Sequence, residues 1–97
     1  MTNEEIWNIG LEERTDELSK LQSEYDRLDV ECRKAEFEKD MYARLRDVNN
    51  AMLYKQKFSE KYEKCARASE KLTKQKNALE NEISVLKKEI YCINSLM

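Results

Sequence analysis

Proline and histidine are absent from this 97-residue chain, and glycine occurs once, at Gly10. Proline and glycine are the main punctuators of turns, so a fold of many short strands, or of strands alternating with helices, is excluded. Without histidine the commonest general base and metal ligand is missing. No Gly-rich phosphate loop is present. Adjacent carboxylates such as Glu4–Glu5 and Glu12–Glu13 would point to different sides of a helix and stay solvated. A single helix also offers no concave pocket in which to dry a nucleophile. The chain is therefore not expected to be an enzyme, nor to hold a cofactor, a metal or a small molecule. The longest uninterrupted apolar runs are four residues, Ala51 to Tyr54 and Ile90 to Ile93, against about 20 for a membrane span. The acidic Met1–Glu5 start lacks an apolar signal core. An intracellular, cytoplasmic location is expected, with the nucleus as the second compartment. The three cysteines, Cys32, Cys65 and Cys92, are far apart. They read as small core or half-buried residues in a reducing compartment.

What the chain does have is charge and a helical period. Charged residues make up 39% of it, mostly Glu and Lys, the composition of coiled coils and long helices. The opening Thr2-Asn3-Glu4-Glu5 matches a capping box, in which side chains satisfy free backbone N–H groups at a helix start. Ile6, Trp7 and Ile9 follow, then Gly10, read either as a kink or as a tolerated surface glycine.

Two heptad seams follow. In the first, over residues 11–35, Leu11, Leu18, Tyr25 and Cys32 occupy a, and Leu21, Leu28 and Ala35 occupy d, with Arg14 as the flaw at d. In the second, over 58–97, Phe58, Cys65, Leu72, Leu79, Leu86 and Ile93 form d, and Tyr62, Ser69, Lys76, Ile83, Ile90 and Met97 form a. It is cleanest over 79–97. The frames are offset by two residues, which neither a stutter nor a stammer explains. Between them, over 36–57, Phe37, Met41, Leu45, Val48 and Met52 make a wider stripe.

The expectation is all-α: one coiled-coil unit over 1–97, built on a long, continuous or kinked helix. An αα-hairpin turning near Asn49–Asn50 is the alternative, since asparagine is a turn former. Expected oligomer contacts are Leu11, Leu18, Leu21, Tyr25, Leu28, Leu72, Leu79, Ile83, Leu86, Ile90 and Ile93. Phe37, Met41, Leu45, Val48, Met52, Phe58 and Tyr62 are expected to meet partner helices, because bulky aromatics widen a two-stranded coil. Tyr54 and Tyr91 fall off the seam.

Charge separates the halves. Residues 1–48 carry 14 acids and 8 bases; residues 49–97 carry 6 acids and 10 bases. Antiparallel pairing would set Glu12, Glu13, Asp16 and Glu17 near Lys87 and Lys88, Asp26 and Asp29 near Lys71 and Lys74, and Ile6, Trp7 and Ile9 near Ile90 and Ile93. Lys55 and Lys76 fall at a, where a parallel homodimer would oppose each to its own copy. That favours a heteromeric or antiparallel partner over 55–76. Lys57, Lys61, Lys64, Arg67, Lys71 and Lys74 also form a basic stripe able to attract an acidic polymer such as a microtubule or nucleic acid. Nucleic acid is the less favoured of these, because the stripe is Lys-rich and mixed with acids.

Period and composition resemble the coiled-coil regions of cytoskeletal, centrosomal, kinetochore and vesicle-tethering proteins, with no family-specific motif. The leading functional expectation is a structural scaffold that drives oligomerisation and assembly, pairing with itself or with another helical chain. An adaptor for an acidic polymer, and a small obligate subunit of a multi-helix complex, are the alternatives.

Overall fold

The computed structural model describes residues 1–96; Met97, expected to end the second seam, lies outside the described residues. The chain is a helical hairpin: α1 spans Asn3–Val48 and α2 spans Met52–Leu96. Thr2 caps α1. Its Oγ1 accepts the Glu5 amide at 3.2 Å, and its carbonyl accepts the Ile6 amide. Gly10 lies within α1 without breaking it. The Arg14 guanidinium covers it, donating to the Gly10 carbonyl at 3.2 Å.

The helix stops at Val48, and the hairpin alternative is the one adopted. No glycine or proline is needed for the turn. The Asn49 Oδ1 accepts the Ala51 amide at 3.0 Å, the side-chain mimic of a backbone turn that asparagine makes readily. The Ala51 carbonyl then accepts the Lys55 amide and opens α2. The physical reason for folding back is that each helix carries an apolar stripe that it cannot bury alone.

Two compact units make up the fold. The first comprises residues 1–27 and 77–97. Ile83 and Leu86 are buried there, while Leu11, Leu18, Leu21, Tyr25, Leu79, Ile90 and Ile93 are half-buried. The two segments are tied by Arg14, whose Nε donates to Glu89 at 3.1 Å. This pair has the opposite polarity to the expected Glu12–Glu17 with Lys87–Lys88 contacts. Ile6, Trp7 and Ile9 stay exposed.

The second unit comprises residues 28–76. Leu28, Cys32 and Ala35 of α1 and Ser69 of α2 are buried. Cys32 Sγ lies 3.4 Å from Thr73 Oγ1, and Cys65 Sγ lies 3.9 Å from Glu38 Oε2. Nearer the turn, Tyr42 stacks on Phe58 with centroids 6.3 Å apart, and the Arg46 guanidinium sits 5.1 Å from the Tyr62 ring centroid. Residue numbers rise in one segment as they fall in the other, so the pairing is antiparallel.

These contacts correct the reading of the centre. The first frame does not slip at residue 36. It continues with Lys39 and Arg46 at a and Tyr42 at d, all half-buried. Long stems pack while their charged ends reach outward, which disguised the seam. The two-residue offset is no irregularity, because the two frames belong to different helices. Phe58 and Tyr62, expected to meet a partner chain, pack inside the hairpin.

Candidate interaction surface

The expected oligomer contacts all lie on the faces that α1 and α2 turn toward each other. Leu28, Ile83 and Leu86 are buried, and the other eight are half-buried. Their first partner is the other helix of the same chain.

Lys76, the lysine in the second seam, meets Asp29 of α1. The two side chains are 24% and 22% exposed, and Lys76 Nζ donates to Asp29 Oδ1. Arg33, one turn along α1, reaches Asp29 Oδ2 at 3.0 Å. The Lys76 hydrogen bond, with help from the positive charge of Arg33, holds the Asp29 carboxyl below its ordinary value against a smaller opposing effect of burial. The sequence had placed Asp29 near Lys71 or Lys74; the contact falls on the next seam position instead.

The opposite face of α1 is different. Val30, Phe37, Met41 and Val48 recur at spacings of seven, four and seven, and therefore share one side of a helix. Phe37 is 67% exposed and Val48 75%. A shallow groove beside them is lined by Phe37, Asp40, Met41, Arg44 and Leu45. Past the turn, Met52 and Leu53 are exposed as well. So Phe37, Met41, Val48 and Met52 of the expected partner contacts lie open, Leu45 is half-buried, and Phe58 and Tyr62 are not part of this surface. Val30 and Leu53 were not anticipated. The signal for Val30 was available, since it stands one heptad before Phe37.

The basic stripe is exposed at all six positions, Lys57, Lys61, Lys64, Arg67, Lys71 and Lys74. Lys57, Lys61, Lys64 and Lys71 share one flank of α2, while Arg67 and Lys74 lie one heptad apart beside it. The stripe is partly engaged: Lys61 Nζ stands 5.4 Å from the Tyr42 ring centroid, and Lys74 reaches Glu70 at 3.5 Å. Among the described residues, no group of three or more His, Cys, Asp or Glu side chains converges to hold a metal ion. Among the same residues, no helix is long and apolar enough to cross a membrane. Comparison with protein-family models, with curated proteins and with solved structures gives no match.

Proposed function

We propose that this chain is a non-enzymatic assembly element, a helical hairpin that joins helical chains. The observation that carries this reading is the two-sidedness of α1 within residues 28–76. One face is covered by α2. The opposite face carries Val30, Phe37, Met41 and Val48 and is open. A surface helix normally has one apolar stripe and one polar face. A second apolar stripe is the mark of a helix sandwiched between two others, and contiguous exposed apolar patches mark interaction sites.

The test compares the full chain with a Phe37→Gln, Met41→Gln variant in cell extract, by size-exclusion chromatography with chemical cross-linking. Both positions are solvent-facing, so the hairpin's helicity should be unchanged. The species carrying the chain should shrink in the variant. Equal sizes for the two would overturn the reading.

A second reading is favoured by the exposure of all six basic residues on α2: an adaptor that docks on an acidic polymer. Its binding would fall steeply with salt and be abolished by reversing Lys57, Lys61 and Lys64 to Glu. Binding that ignored salt and survived reversal would sink it.

A further inference from the structure

We infer that the open stripe of α1 receives a second copy of this chain, packed antiparallel about a two-fold axis near residue 39. This inference rests on the assembly reading above and names its partner.

The argument starts from the order of residues in the stripe. Read forward from Val30, the seven-four-seven spacing gives Val, Phe, Met, Val; read backward from Val48 it gives Val, Met, Phe, Val. The pattern is palindromic in spacing and nearly so in size. An isologous contact requires that if residue i meets residue j, then j meets i. Between reversed helices this demands a palindrome, which no parallel pair and no foreign partner would require. Centred near Lys39, reversal sets Val30 against Val48 of the other copy and Phe37 against Met41, each twice. In the gaps Lys34 falls opposite Arg44, a like-charge pair that works against the contact unless neighbouring carboxylates offset it.

Charge agrees. Residues 30–48 hold five acids and five bases, so the segment does not repel itself as a strongly acidic or basic stripe would. Beside the apolar stripe runs the row Arg33, Asp40, Asp47. Reversal brings Arg33 of one copy alongside Asp47 of the other, twice. Arg33 is 78% exposed and already contacts Asp29, but its guanidinium has five donors to share. Asp40 approaches its own copy near the axis, with Arg44 one turn away in the same groove. The two cations of the Lys34–Arg44 layer thus lie close to carboxylates.

Area agrees as well. At 67% exposure, Phe37 leaves on the order of 100 Å² open, taking ~150–250 Å² for a whole aromatic side chain. With Val30, Met41 and Val48, two copies would cover roughly 800 Å² of apolar surface. Adding the flanking charged stems brings this near the ~1,200 Å² lower limit of specific interfaces. A weak to moderate dimer is the expected result.

The test is sedimentation velocity on the purified full chain in reducing buffer over a range of concentrations. The expected result is a concentration-dependent species of twice the chain mass. Phe37→Glu should raise the dissociation constant about tenfold or more with unchanged helicity. Orientation is read from spin labels at Asn50→Cys, with Cys32→Ala, Cys65→Ala and Cys92→Ser to remove other thiols. Reversed copies put the two labels roughly 30 Å apart, from 1.5 Å per residue on either side of the axis. A chain that stays monomeric, a dimer insensitive to Phe37→Glu, or labels side by side would each overturn the inference. If the chain is monomeric alone but the extract species still shrinks with the Phe37, Met41 variant, the assembly reading stands and only the second copy is lost.

Discussion

Lys76 of α2 donates a hydrogen bond to Asp29 of α1 across 47 positions of sequence. Lys76, the lysine within the second seam, is half-buried, and it meets a carboxylate that would otherwise be partly desolvated. The pair gives the hairpin a pH dependence of known sign. Because the folded-state pKa of Asp29 is lowered, its contribution to stability is present above the ordinary value of 3.8 and is lost as pH falls through the lower folded value. Asp29→Asn should therefore lower the melting temperature near neutral pH. The difference from the parent should close well below pH 3.8. A constant difference at all pH values would contradict the assignment.

Leu86 and Val85 are neighbours in sequence and opposites in structure, 7% and 54% exposed. Leu86→Ala removes a buried side chain and should cost about 2–3 kcal/mol, the lower part of the range for core leucines. Val85→Ala should change stability by less than about 0.5 kcal/mol, since alanine is also the better helix former. Urea melts of the two variants at low chain concentration give both numbers.

The start of α2 is under-capped. Ala51 holds the cap position, its carbonyl accepting the Lys55 amide, and α2 has no acidic residue in its first turn. Alanine offers no side-chain oxygen to the free amides there. Ala51→Asp should stabilise the chain by about 0.5–1 kcal/mol by capping and by placing negative charge at the helix N-terminus. Thermal melting measures the gain, and slower amide exchange at Leu53 and Tyr54 would locate it.

The three cysteines differ in burial: Cys32 is buried, Cys65 intermediate and Cys92 exposed. Native-state labelling with a thiol reagent should modify Cys92 first, then Cys65, with Cys32 last. Cys32 should become reactive only when the packing of residues 28–76 opens. Mass spectrometry of quenched time points orders the three, and early modification of Cys32 would contradict its placement.

Much of the fold could be read from the sequence, and the misreadings have identifiable causes. The second seam, from Phe58 to Ile93, was visible because its residues are mostly apolar. The first seam was visible as far as Ala35 and then hidden, because Lys39 and Arg46 present charged names while packing aliphatic stems. Phe37, Met41 and Val48 carry the apolar signal there instead, although they sit on the opposite face. A hydrophobic pattern reports that a face needs cover without saying which neighbour supplies it. The turn was masked for a similar reason. Asn49 closes it by accepting the Ala51 amide on its side chain, so neither glycine nor proline marks it. The basic stripe was legible residue by residue, because solvent-facing lysines need no tertiary information to be placed.

The antiparallel pairing also sets a timetable for synthesis. Tyr42 and Phe58 are separated by a short loop, and closing it is cheap once the turn has been made. Asp29 and Lys76 must wait for 47 positions, and Arg14 and Glu89 for 75. Chain elongation proceeds at ~5–20 residues per second, so Leu11 and Leu18 emerge seconds before the α2 residues that cover them. Of the seam leucines, those made first are the last to be sheltered, and the nascent hairpin spends that interval as a half-closed zipper.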